Sequence, residues 1–250
     1  MRQIERGIPV TPLFQAPFVT TKTFRRDWLH SVDLGIAADF LGSLFRHLIV
    51  RHMPGNNRTV KTAALWDRIL DFYEAHGTQD RLRTLVWNGI QASAKKPPKL
   101  KGNAACVKAL VPFARTISAE LFLDANNEEE NAMKEAAVQL DTTYRCLRSD
   151  DIFWKDVCFE AGVKFCQLVA ALAANNNGVF FRVKPKMHMF LEMLLQGSKV
   201  CMSWTYRDED YGGTMARLAR SRGSARKSAY ATSRNVLTSF KYSNPVARIL

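Results

Sequence analysis

Leu34, Ala37, Leu41, Leu44, Phe45, Leu48 and Ile49 recur at intervals of three and four. That spacing puts them on one face of a helix, and no strand can bury all of them together. The pattern should end before Pro54 and Gly55. Similar faces follow along the chain. Residues 59–76 form a second predicted helix, with Leu65, Ile69, Phe72 and Tyr73 on one side and Gly77 at its end. Residues 78–88 read as a short helix, and "KKPPKLKG" (95–102) as a basic loop broken by Pro97 and Pro98. Residues 103–123 are helical with a break at Pro112, and an acid-rich start leads into a helix that runs to about Leu147. A further helix is capped by Ser149 and stopped by Asn175, Asn176, Asn177 and Gly178. "VFFRV" is either a short strand or a loop into the core, and a helix begins near Lys186. Two more helices are expected around 209–220 and 226–240. Pro9, Pro12 and Pro17 keep the N-terminal stretch extended. The fold class is mostly α: one helical bundle-like domain over 1–250, with an arm at 1–33, a helical body at 34–200 and basic C-terminal helices at 201–250. No period indicates a solenoid.

With 250 residues and 47% apolar content, the chain can fill a core. No apolar run is expected to approach the ~20 residues of a membrane span, so no membrane partner is expected. The start of the sequence carries no signal segment, which points to a nuclear or otherwise intracellular protein. Cys106, Cys146, Cys158, Cys166 and Cys201 are odd in number and contain no C-x-x-C pair, so they read as buried thiols. The formal net charge is +13, and it is unevenly placed. Residues 211–250 contain no Asp or Glu but carry Arg217, Arg220, Arg222, Arg226, Lys227, Arg234, Lys241 and Arg248. Lys95, Lys96, Lys99 and Lys101 form a second cluster. Clustered positive charge attracts polyanions, and DNA is the expected partner; the alternative is a helical protein-interaction module whose charge serves solubility.

Phosphate-cradling glycine loops and nucleophile elbows are absent. Three stretches remain. Asp27 and His30 precede the Leu34 helix, and a carboxylate there suits Mg²⁺ while a histidine three residues on can orient it. Of the neighbouring acids, Asp33 is expected to cap the helix and Asp39 to face solvent. "KPKMHMFLEML" places Lys184, Lys186 and His188 at a helix entrance. "SWTYRDEDYGG" joins Trp204 and Tyr206 to Asp208, Glu209 and Asp210, which repel one another unless solvated or bound to a cation.

In this order the motifs resemble the C-terminal part of the Tnp2/CACTA group of transposases, with its Plavaka and KDZ relatives. The resemblance spans nearly the whole chain in outline. Gly7, Ile8, Thr11, Pro12 and Leu13 match its first motif, and Asp27, His30, Leu34 and Gly35 follow as the D-x-x-H with its apolar helix. Pro185, Lys186 and His188 match the P-K-x-H, and Trp204, Tyr206, Glu209 and Gly213 the last motif.

The resemblance implies a DDE enzyme on an RNase H-like fold, in which paired Mg²⁺ ions clamp the attacking and leaving oxygens of a phosphodiester. Asp27 would be the second catalytic acid and metal ligand, Glu209 the third, with Asp208 its rival and His30 accessory. Residues 34–200 would be the helical insertion. Lys186 and His188 would join the basic residues in holding DNA. The chain departs from the pattern at the first catalytic acid, because Glu5 is the only acid before Asp27. The expectation is therefore a truncated transposase-derived DNA binder that lacks a complete catalytic site, with Mg²⁺ a cofactor only if that site is completed. A homo-oligomer or a separate N-terminal transposase part would be the further partner. The alternative is an active Mg²⁺-dependent nuclease with an unrecognised first acid.

Overall fold

The computed structural model describes residues 26–90, 97–147, 154–175 and 177–195. All of them fall in one compact unit, Met1–Ser203. Among the described residues the chain is mostly helical and contains no strand. A π-helical segment, Leu29–Ala37, runs directly into α1, Ala38–Arg51. Then come α2 (Arg58–Ala75), a 3₁₀ turn (Trp87–Ile90), α3 (Ala104–Ala109), α4 (Val111–Leu121), α5 (Glu128–Cys146), α6 (Trp154–Asn175) and α7 (Pro185–Leu195).

The caps are those that short polar side chains provide. Asn57, Asn103 and Asn127 each accept a hydrogen bond from the backbone N–H three residues on, at 3.0, 2.8 and 3.1 Å. Each satisfies one donor that the helix start leaves unpaired. Pro112 stands at the start of α4, where its missing N–H costs nothing. Glu128, Glu129 and Glu130 occupy the first turn of α5, where negative charge suits the dipole.

Helix α1 is central. It packs on the π-helical segment, α2, α4 and the 3₁₀ turn, while α5 lies against α4 and α6, and α6 against α7. Aromatic rings fill the spaces between them. Phe40 of α1 meets Phe165 of α6 edge-on at 5.4 Å, and Phe165 meets Phe190 of α7 at 6.1 Å. Phe45 meets Phe113 of α4 at 5.8 Å. Edge-to-face pairs add to the transfer of each ring out of water. Truncating Phe40 to Ala should cost about 3–5 kcal/mol.

The structure differs from the sequence expectations in three places and decides a fourth that the sequence left open. Helical structure begins at Trp28, before Leu34, so Asp27 and His30 belong to a packed helix start rather than to an extended arm. Residues 78–86 are not helical, and only the 3₁₀ turn follows. The Leu82 N–H bonds to the Tyr73 hydroxyl at 3.3 Å, and Arg81 donates to the Tyr73 and Thr78 carbonyls at 3.2 and 2.6 Å; these anchors replace a helical ladder. "VFFRV" is a loop, with Phe181 buried. Finally, Lys155–Asn175 in α6 is long and apolar enough to cross a membrane by length and composition, although charges at Glu160 and Lys164 break its apolar run. In this fold Ala161, Phe165, Val169 and Leu172 are buried, and the helix packs on α5 and α7.

Candidate nucleic-acid interface

Trp28 fixes the start of the site. It is 1% exposed and lies against Tyr144 of α5 at 5.8 Å and Phe190 of α7 at 5.6 Å. With Trp28 buried, Asp27 beside it is left at the surface edge. The Asp27 carboxylate accepts from the backbone N–H groups of Leu29 at 3.0 Å and His30 at 3.2 Å, and its Oδ2 also meets the His30 imidazole. Asp27 therefore acts as the cap of the π-helical segment. Asp33, expected as a cap, is fully buried and accepts the Tyr144 hydroxyl instead, tying the segment to α5.

Inside the segment Gly35 leaves helical geometry (φ −105°, ψ −108°). Two lysines reach backbone carbonyls around this kink. Lys186, at the start of α7, donates to the His30 carbonyl at 2.6 Å. Lys99, from the basic loop, donates to the Leu34 carbonyl at 2.6 Å. A Cβ at Gly35 would sit 3.0 Å from the Lys186 stem, so the glycine leaves that stem room to pass. Lys184 adds a third ammonium group, donating to Asp39 at 2.5 Å. Asp39 is thus paired with a lysine, not free in solvent, and its other oxygen is buried without a hydrogen-bond partner among the described residues. Burial and the charge of Lys99 push the Lys186 ammonium below its ordinary pKa; Lys184 pushes the same way, while Asp39 and Asp27 oppose. Lys99, Lys184 and Lys186 therefore repel one another across one small region.

The loop that carries Lys99 is held on α1 by a close approach. The Leu100 N–H donates to the Ala38 carbonyl at 2.8 Å, and an ideal Cβ on Gly42 would lie 2.5 Å from Lys99 Cα and Leu100 N. Only a residue without a side chain fits beneath that strand of loop.

Arg46 lies two turns along α1 from Asp39, about 10 Å away. The Ser43 hydroxyl donates to the Phe180 carbonyl at 2.6 Å, so the loop before α7 crosses the helix there. Beyond it lies a cavity of about 290 Å³ whose lining includes Arg46, Arg51, Arg58, His47, Trp87 and Phe180. The Arg46 guanidinium stands 4.8 Å from the Phe180 ring and 5.7 Å from that of Trp87; Arg58 lies 5.1 Å from Trp87. Burial and the charge of Arg58 lower the Arg46 pKa, and Arg46 Nε is buried without a hydrogen-bond partner among the described residues. Glu129 also lines this cavity, the one acid beside its three arginines among the described lining residues.

Of the residues singled out from sequence, the structure brings Asp27, His30, Lys99 and Lys186 together. His188 lies on the exposed side of α7, 3.4 Å from Glu192, which also pairs with Arg26. Lys101 is exposed on the loop, and its backbone N–H bonds to the Gly89 carbonyl at 2.8 Å. Lys95, Lys96, Glu209, Arg217, Arg220, Arg222, Arg226 and Lys227 lie outside the described residues. Sequence reasoning missed the roles of Asp39, Arg46, Arg51, Arg58 and Trp87. Asp39 and Arg46, the charged residues that interrupt the apolar pattern of α1, were the available signal for part of it.

Around Asp27 the described residues do not fit a Mg²⁺ ion. Mg²⁺ needs carboxylate or water oxygens in octahedral array, whereas both Asp27 oxygens accept backbone N–H groups and the nearby charges include Lys186 and Lys99. No family model, curated protein or solved structure matches this chain.

Proposed function

We propose that the protein binds the phosphate backbone of duplex DNA through the basic side chains at the two ends of α1. The observation that carries this reading is the convergence of Lys99 with Lys184 and Lys186 beside the start of α1, and of Arg46, Arg51 and Arg58 around one cavity towards its other end. Grouping so many cations costs repulsion, which a polyanion relieves. Trp87 offers a flat apolar surface beside the arginines, and the basic residues beyond 210 add to the same electrostatic attraction.

The motif order supports descent from a DDE transposase of the Tnp2/CACTA type, and the nuclear compartment goes with that reading. Asp27 serves such a protein as a structural cap, and His30 as its partner. The function is binding rather than strand transfer.

The test is a titration of duplex DNA over a salt series. Roughly six phosphate contacts give a slope of log K against log[salt] near −5, and a loss of affinity of about 10³ between 50 and 200 mM salt. In the same tubes, Mg²⁺ should produce no cleavage. Efficient cleavage abolished by Asp27→Ala would overturn the binding-only reading. An absence of binding at low salt would leave a helical interaction module.

A further inference from the structure

His47 lies in the last turns of α1, and His52 is its C-cap. Both imidazoles direct Nε2 at one oxygen of Glu130, at 2.8 and 2.7 Å. The three candidate donor atoms lie within 4.8 Å of one another. Glu130 comes from the first turn of α5, where its N–H is fixed by the Asn127 cap at 3.1 Å. Phe122 covers the site, with its ring 5.7 Å from that of His47 and 5.2 Å from that of His52. The side chains of His47, His52 and Glu130 are only 15%, 21% and 9% exposed. Residues 83 and 78 positions apart in the chain are thus brought to one half-buried point.

We infer that His47, His52 and Glu130 form a binding site for a divalent transition-metal ion, best suited to Zn²⁺. Two imidazole nitrogens and one carboxylate oxygen are a zinc-type donor set, softer than the all-oxygen set Mg²⁺ prefers. Zn²⁺ bound at ~2.1 Å sets its ligands about 3.4 Å apart, so the two N···O separations of 2.8 and 2.7 Å need open by well under 1 Å. Each Nε2 faces a carboxylate oxygen and so carries a proton, which Zn²⁺ displaces to solvent when it binds. Three protein ligands leave a fourth position for water or an anion. His47 also lines the arginine cavity. The inference does not rest on DNA binding, and duplex titrations in EDTA keep the two claims separate.

The test is a Zn²⁺ titration of the ¹⁵N-labelled full chain, watching the ring nitrogens of its five histidines. At one equivalent, the His47 and His52 rings should shift, while those of His30, His76 and His188 stay in place. Co²⁺ should give visible d–d bands without thiolate charge transfer. Glu130→Gln should weaken binding at least tenfold. If Glu130→Gln does not fold, His52→Ala at the helix end serves as the second variant, and the wild-type ring shifts decide. Silent His47 and His52 rings at tenfold excess Zn²⁺, affinity unchanged in the folded variants, or binding lost on thiol alkylation would each overturn the assignment.

Discussion

Gly42→Ala should loosen the Lys99 loop and weaken DNA binding together. The added Cβ would lie 2.5 Å from Lys99 Cα and Leu100 N and 2.6 Å from the Lys99 carbonyl carbon. All three are backbone atoms, so no side chain can swing aside. Restoring ordinary contact moves the loop by about 1 Å, which breaks the 2.8 Å bond from the Leu100 N–H to the Ala38 carbonyl. Losing that bond costs about 0.5–1.5 kcal/mol, and overpacking adds about 1–3 kcal/mol. Alanine regains up to ~1 kcal/mol over glycine inside a helix. The net expectation is about 1–3 kcal/mol of lost stability, a fall of roughly 2–10 °C in Tm for a unit of this size. Lys99 leaves its position, so the salt slope of DNA binding should flatten by about 0.9. Urea and thermal unfolding read the first effect, and the duplex titration reads the second. Gly89→Ala is the control, because its Cβ would meet only Val86 Cγ2 at 3.6 Å. A neutral or stabilising Gly42→Ala would refute the claim that this contact holds the loop.

Other perturbations test separate parts of the account. Tyr144→Phe leaves the buried Asp33 carboxylate short of a donor and should cost about 1.5–3 kcal/mol by urea unfolding. Glu135, bonded to Lys164 at 2.7 Å and to Gln139 at 2.8 Å, is held below its ordinary pKa by those hydrogen bonds. Its folded pKa is below its unfolded one, so its contribution is present above about pH 4.3 and lost as pH falls through the folded value. The wild-type advantage over Glu135→Gln in urea midpoint should therefore shrink below about pH 4. Burial pushes the Cys166 thiol up to about 12. In native protein at pH 7 it should react with a disulfide reagent at least 100-fold more slowly than a free thiol, as followed by mass spectrometry.

The helices that sequence showed clearly are those whose own faces build the core. α1, α2, α6 and α7 carry their buried residues at helical intervals, and Pro112 marks the break between α3 and α4 through local backbone chemistry. Residues 78–88 were misleading because Leu82 and Leu85 mimic helical spacing, while their burial comes from tertiary anchoring by Tyr73 and Arg81. Asp27 and Lys186 were legible as candidates from motif order, but their roles depend on contacts that sequence does not encode locally. Lys186 reaches a carbonyl 156 residues away, and Lys184 an acid 145 residues away. The His47, His52 and Glu130 cluster was invisible for the same reason, since its carboxylate comes from a different helix. Asp33 illustrates the opposite error: a residue type that favours caps was used for a buried tie to Tyr144.

The most direct measurement is duplex DNA affinity against salt for the wild type and the Lys99→Gln/Lys186→Gln double variant, with folding checked by thermal melting. The account predicts a wild-type slope near −5 and a variant slope flatter by about 2, uniformly across DNA sequences. Equal slopes for two folded proteins, or no wild-type binding at 50 mM salt, would contradict DNA binding by the lysines beside the start of α1.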